Sequence, residues 1–212
     1  MKKVTTKHDF NAALIGMILF NGNIINDNIL YIRCNGNNLN YIDEKVEFIS
    51  EYLTPKCVKS SIDKYGSNYR YVYYKSSIFK NLYKKIYINN RKSLTKSILN
   101  RFNAITLAIM YMDTGCLSLR KDKNNPTVYK SREIHLNLQF LSMNEIKMLQ
   151  NQLRLRWDID FHLTRDKGRL RLWCNTENTI KFFKLVSPIV KEFHSMRYKL
   201  DLKYNTKDIN FL

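Results

Sequence analysis

Two segments of the chain are apolar on nearly every side, and this pattern predicts two buried helices. The first covers residues 12–19, with Asp9 as its capping residue and Gly22 at its end. The second covers residues 105–112 and ends at Gly115. A surface helix would repeat polar residues every 3.6 positions, so we expect both segments to lie in the core.

Shorter patterned segments follow each of these helices. Alternation or aromatic content predicts strands at residues 24–34, 69–75, 117–121 and 134–140, and a hairpin from 161–163 to 170–173 around Asp166-Lys167-Gly168. Amphipathic spacing predicts helices at residues 43–53, 78–86, 146–153 and 176–186, with a Ser142–Glu145 capping box before the third and Pro188 past the last. The order helix, strands, helix, strands, helix occurs twice. It predicts one compact α+β domain with two similar halves, residues 1–100 and 101–212.

Composition narrows the class of ligand. The 212 residues include 36 Lys and Arg against 18 Asp and Glu, a net charge of +18, while 44% are hydrophobic. Such a chain buries a core, so disorder is excluded, and its charge indicates a polyanion: nucleic acid or an anionic membrane surface. No apolar run approaches the ~18 residues of a membrane-spanning helix, and no signal-peptide pattern opens the chain. We expect an intracellular, reducing compartment.

Metal and nucleophile motifs are not apparent in the sequence. The four cysteines are scattered and form no C-x-x-C pair, and the four histidines do not have the spacing of metal ligands. The cysteines are Cys34, Cys57, Cys116 and Cys174. Neither a zinc site nor a disulfide framework is predicted.

The two buried helices share an ending. Residues 14–22 read LIGMILFNG, and residues 107–115 read LAIMYMDTG. With residues 89–93, 135–142 and 196–200, they resemble the LAGLIDADG homing endonucleases of the single-chain type with two motif copies. The resemblance spans roughly residues 10–200. It implies two αββαββα halves packed through the motif helices, with saddle-shaped antiparallel sheets that sit on duplex DNA.

The sequence departs from this family at the catalytic positions. In active members the eighth motif residue of each helix is acidic and holds divalent metal. Here those residues are Asn21 and Thr114. Asp113 precedes the second by one position, a turn of ~100° on a helix, so its carboxylate is expected to point elsewhere. A shifted register, which would bring Asp27 or Asp113 forward, is the alternative.

The resemblance also assigns basic residues. Lys92 and Lys199 match family positions beside the cleaved phosphates, although solvated surface lysines explain them equally well. Period-2 polar residues and shared strand faces predict a set of nucleic-acid contacts, against the alternative of ordinary solvated faces. This set is Tyr31, Arg33, Arg70, Tyr74, Ser118, Arg120, His135, Asn137, Gln139, Arg169 and Arg171.

Taken together, the sequence predicts a monomeric nucleic-acid-binding protein with a homing-endonuclease fold that has lost metal-dependent cleavage. We expect a DNA-binding factor without a cofactor, with Mg²⁺ only if the protein is active. The alternatives are an active endonuclease with an atypical metal site, an RNA-binding maturase-like protein, and a structural subunit of a nucleoprotein complex. The abundance of Lys, Asn and Ile suggests an AT-rich genome, as in a mobile element. Membrane binding is not expected.

Overall fold

The protein contains two four-stranded antiparallel sheets, one in each half of the chain. The structure is a computed structural model that describes residues 3–35, 39–125 and 129–201. The elements of the first half are α1 (Lys7–Phe20), β1 (Asn23–Ile25), β2 (Ile29–Asn35), α2 (Asn40–Phe48), β3 (Cys57–Ile62), β4 (Asn68–Lys75) and α3 (Ile78–Ile86). A two-stranded ribbon, β5 (Tyr87–Ile88) and β6 (Arg91–Lys92), and a short helix, α4 (Lys96–Leu99), connect the halves.

The second half repeats this order. Its elements are α5 (Ala104–Thr114), β7 (Gly115–Lys121), β8 (Tyr129–Asn137), α6 (Met143–Trp157), β9 (His162–Asp166), β10 (Arg169–Cys174), α7 (Thr176–Val190) and a final 3-10 helix (His194–Leu200). The sheets have matching strand orders, β1-β2-β4-β3 and β7-β8-β10-β9. The predicted fold class, two αββαββα halves, is therefore confirmed.

The helices α1 and α5 pack directly against each other at the centre of the molecule. Gly16 permits this approach, since a Cβ there would lie only 3.1 Å from Ile109 Cβ. Two side chains also cross between the helices: Thr106 Oγ1 donates to Ala12 O at 3.0 Å, and Asn103 Nδ2 donates to Asp9 Oδ1 at 2.9 Å. A single hydrophobic core extends through both halves. The halves therefore form one packed unit.

Several local predictions need correction. Residues 24–34 form a hairpin, because Asn26 and Asp27 adopt positive φ angles of 49° and 55° and turn the chain. The N-cap of α1 is Thr6, whose side chain accepts from the Asp9 amide. Pro188 lies inside α7, which continues to Val190. The capping box of Ser142 and Glu145 and the hairpin of β9 and β10 are confirmed.

No helix among the described residues is both long and apolar enough to cross a membrane.

Candidate nucleic-acid interface and motif-helix site

The two motif helices end in uncharged side chains. α1 is capped by Asn21, and α5 ends at Thr114 before Gly115. The Thr114 hydroxyl donates to Met110 O at 2.8 Å, so it is turned back onto its own helix. Both predicted positions therefore lie at helix ends, as expected, and neither provides an anionic oxygen.

The Asp113 carboxylate, beside these motif ends, is paired through one of its oxygens. Lys45 Nζ, on α2, donates to Asp113 Oδ1 at 2.8 Å and lies 3.4 Å from Asn21 Oδ1. The Lys45 side chain is 0% exposed and that of Asp113 is 1% exposed. Asp113 does not point away from the motif ends, as the one-residue offset suggested. It reaches across the helix interface and meets a cation from the first half.

Two other titratable side chains, Tyr41 and Cys34, lie close to this ion pair. Lys45 Nζ lies 4.2 Å from the centre of the Tyr41 ring. Burial, reinforced by the neighbouring Asp113 carboxylate, raises the pKa of Tyr41 well above its ordinary value. Burial likewise raises the pKa of Cys34 to about 11. Tyr41 and Cys34 therefore stay neutral at physiological pH, and the direct ion pair at this place is the one between Lys45 and Asp113.

Lys45 was not singled out from the sequence, although a signal exists. Tyr41, Ile42, Lys45 and Phe48 share the buried face of α2 at helical spacing. A lysine on an apolar helix face requires a buried anion or a route to solvent. Its partner, 68 residues away, is visible only in the folded chain.

Lys199 acts on the end of α5. Its Nζ donates to Met112 O at 2.6 Å and to Gly115 O at 2.9 Å, with Tyr111 O at 3.4 Å. An ammonium at this place satisfies carbonyls that a helix C-terminus leaves open. A phosphate at Lys199 would have to compete with these carbonyls for its three hydrogens.

The outer faces of the two sheets, defined as the faces turned away from the helices, carry most of the predicted contacts. Tyr31 and Arg33 lie on the outer face of the first sheet, since Leu30 and Ile32 between them are buried in the core. The outer face of the second sheet carries the larger group of predicted residues. This group is Ser118, Arg120, His135, Asn137, Arg169 and Arg171.

Three predicted contacts are not on these faces. Tyr74 is wholly buried on the core side of β4, and Arg70 shares that side. Arg70 uses Nε and Nη2 on Asp43 Oδ1, at 3.1 and 2.7 Å, and so ties β4 to α2. Gln139 lies beyond the end of β8 at Asn137. The prediction that Arg70 and Tyr74 line the same surface as the others is therefore wrong.

On the second sheet, His135 lies within a charged network. His135 Nε2 is 3.8 Å from Glu133 Oε2, and Arg120 Nη2 is 3.4 Å from the same oxygen. Burial and the Arg171 charge lower the pKa of His135, with Glu133 acting in the opposite direction. His135 thus favours the neutral form at pH 7, and its Nε2 is the ring nitrogen that faces this network.

Comparison with known proteins identifies the family. The sequence model of the LAGLIDADG DNA endonuclease family matches residues 11–182. The chain belongs to the LAGLIDADG family. The homing endonuclease I-WcaI, solved bound to its DNA recognition sequence, shares the fold at a TM-score of 0.74 and 20% identity, covering 95% of this chain and 89% of that one.

Two other LAGLIDADG structures are similar at lower scores. The homing endonuclease I-GzeII, in complex with its DNA target, has a TM-score of 0.54 at 10% identity, covering 97% of this chain and 91% of that chain. The N-terminal LAGLIDADG domain of DUF199/WhiA also has a TM-score of 0.54, at 11% identity, and the match covers 86% of this chain and 84% of that chain. At these identities the likeness establishes the fold.

The divalent metal of active LAGLIDADG enzymes does not fit the groups present here. Mg²⁺ requires anionic oxygens at close range. Asn21 and Thr114 are neutral, and one oxygen of Asp113 accepts from the Lys45 ammonium, a cation that would repel a metal. No group of three or more metal-ligating side chains exists among residues 3–35, 39–125 and 129–201.

Lys92, one of the two basic residues that the family resemblance predicts for the site, has a pKa near the physiological range. Burial lowers its pKa to about 8, against the opposing effect of the Asp113 carboxylate. If Lys92 contacts a phosphate, DNA binding favours its charged form, so affinity is expected to fall several-fold as pH rises from 7 to 9.

Fluorescence anisotropy across this pH range checks the prediction, with Lys92→Arg as the control. Arginine stays charged throughout, so the fall attributable to Lys92 is expected to disappear in this variant. An identical pH profile for Lys92→Arg and the wild type would remove Lys92 from the interface.

Proposed function

We propose that this protein binds duplex DNA across the outer faces of its two sheets and does not cleave it by a metal-dependent route. The observation that carries the second part is the buried Lys45–Asp113 pair between two neutral motif ends. A lysine ammonium lies beside the carboxylate at the motif ends, where an active relative holds its metals. The protein is therefore a DNA-binding factor on an endonuclease fold.

The charge distribution supports the binding part. The missing acids account for only a small part of the net charge of +18, since acidic residues in place of both Asn21 and Thr114 would still leave a net charge of +16. Basic and amide side chains lie on the outer face of each sheet, which is the chemistry that contacts phosphates and base edges. The LAGLIDADG relatives I-WcaI and I-GzeII were solved on DNA, which favours the same ligand here.

Selection from a pool of random duplexes, followed by cleavage assays on the selected DNA, tests the proposal. We expect salt-dependent binding, with an affinity that falls linearly on a log–log plot against salt concentration. We expect no strand breaks with Mg²⁺ or Mn²⁺. The Asp113→Asn variant serves as the matched control, because it removes the one carboxylate at the motif ends.

The outcomes separate the competing functions. Metal-dependent breaks that Asp113→Asn abolishes while duplex binding is retained would establish an active endonuclease with an atypical site. Binding to structured RNA in preference to duplex DNA would support a maturase-like role. Absence of binding to either nucleic acid by the isolated chain, with binding only in a complex, would support a structural subunit.

A further inference from the structure

In the first half, a guanidinium on the outer face is held in place by two neighbouring side chains. Arg33 Nε donates to Asn35 Oδ1 at 2.7 Å, and Arg33 Nη2 donates to Asp63 Oδ2 at 3.4 Å. The guanidinium carbon also lies 3.8 Å from the centre of the Tyr69 ring. Hydrogen bonds along one edge and a ring over one face fix the orientation of a side chain that is otherwise long and flexible.

The second half holds an arginine in the same way. Arg171 Nε donates to Asn137 Oδ1 at 3.0 Å, and Arg171 Nη2 donates to Asp166 Oδ2 at 2.6 Å. Asn137 in turn uses Nδ2 to donate to Thr114 O at 3.1 Å. The amide of Asn137 is thus engaged at both ends. It positions Arg171 and anchors it to the end of the motif helix α5.

The two arrangements lie near the same end of the second strand in each sheet, although in the strand registers Asn137 corresponds to Arg33. Asn35 and Asn137 are the last residues of β2 and β8, the second strands of their sheets. Asp63 and Asp166 lie at the turns that join β3 to β4 and β9 to β10. The arginines differ in origin, since one comes from β2 and the other from β10. An arginine held by an asparagine and an aspartate therefore occurs once in each half, but at different sequence positions of the repeat.

The geometry of the guanidinium indicates what these arginines recognise. The bonds to asparagine and aspartate use Nε and Nη2, which form one edge of the guanidinium. Nη1 and the second hydrogen of Nη2 form the other edge, which takes no part in these bonds. Two parallel N–H groups on that edge match O6 and N7 of guanine in the major groove.

We propose that Arg33 and Arg171 each read one guanine, one in each half of the DNA target. This inference rests on the proposed function and adds which bases of the duplex the protein recognises. Both guanines are expected near the centre of the target, because both arginines lie close to the ends of the motif helices. Asn137 connects Arg171 to the end of α5. Arg33 lines a cavity of about 310 Å³ whose walls also include Asn21 and Asp113.

Binding selection with the full-length protein provides the experiment. The wild type is expected to select duplexes with a guanine on either side of the centre. Replacing either guanine is expected to lower affinity roughly 5- to 150-fold, as for other bidentate arginine–guanine pairs. Arg171→Lys is expected to reduce the preference at one position and leave the other intact, because an ammonium lacks the planar pair of N–H groups, and Arg33→Lys is expected to do the converse.

Two further variants distinguish reading from simple charge. Asp166→Ala raises the net charge by one unit but frees Arg171, so discrimination at its guanine is expected to fall without loss of overall affinity. A purely electrostatic role of Asp166 would instead leave discrimination unchanged. Arg154→Lys is the matched control, because Arg154 is also paired with an aspartate, Asp160, but belongs to α6 and not to an outer face, so this variant is expected to leave the base preference unchanged.

Each remaining outcome has a definite meaning. If Arg33→Lys and Arg171→Lys weaken all sequences equally, the guanidiniums contact phosphate and the inference is overturned. Binding of duplexes without guanine at the two positions would overturn it as well, while leaving the proposed function intact. Failure of the wild type to bind any duplex would defeat both.

Discussion

Replacing Lys45 with methionine is expected to destabilise the folded protein by about 3–5 kcal/mol, the usual cost of removing one partner from a buried ion pair. Methionine matches the length of lysine and stays compatible with the apolar face of α2. The loss arises because Asp113, 1% exposed, keeps its charge or must take up a proton in the core. Urea unfolding followed by circular dichroism measures the free energy of unfolding.

A double variant shows whether the charge, and not the packing, is responsible. Lys45→Met combined with Asp113→Leu replaces both ions with apolar groups, so it is expected to recover much of the lost stability. If the free energy of unfolding of Lys45→Met lies within 1 kcal/mol of the wild-type value, water reaches Asp113. An equally unstable double variant would mean that packing around α2 had failed.

The fold was predictable because its strongest signals are local. Helices α1 and α5 are apolar on all sides, and only a buried position accommodates such a segment. The Ser142–Glu145 capping box begins α6 with bonds that residues three positions apart can make. The prediction for α7 was wrong at Pro188, because the buried residues Ser187 and Val190 hold the last turn in the core beyond the proline.

The candidate site was predictable only in part. The neutral ends at Asn21 and Thr114 follow from the motif register, which needs no tertiary information. The bond from Lys45 to Asp113 joins residues far apart in the chain, and periodicity does not encode such pairings. The orientation of Asp113 does not follow from its own helix, because its partner Lys45 lies on α2 in the other half of the chain.

The faces of β4 show a second limit of pattern analysis. Residues 69–74 read YRYVYY, so tyrosines occur on both faces and the alternation does not mark the core side. Tyr74 is completely buried, while Tyr73 is exposed at 36%. The phase becomes clear only from the register, in which Val72 pairs with the buried Ile32. Arg70 belongs to the core side for the same reason and finds Asp43 there.

Gly115→Ala is expected to destabilise the protein by about 3 kcal/mol and to disturb the motif-helix site. Gly115 has a φ of −85°, which any residue adopts, so the effect is purely steric. A Cβ would lie 2.6 Å from Tyr111 O and would also overlap the Tyr111 ring. Neither can move freely, because the Tyr111 hydroxyl donates to Lys199 O at 2.6 Å and its ring is fully buried.

The matched control is Gly22→Ala, the equivalent glycine of the first motif. There a Cβ would lie 3.0 Å from Leu30 Cδ1 and from Met17 O, a tight contact that small shifts relieve. Thermal unfolding is therefore expected to show a much larger fall in Tm for Gly115→Ala than for Gly22→Ala. Equal falls would contradict the steric argument. A larger fall for Gly22→Ala would mean that the end of α1, not that of α5, is the more rigidly packed of the two motif ends.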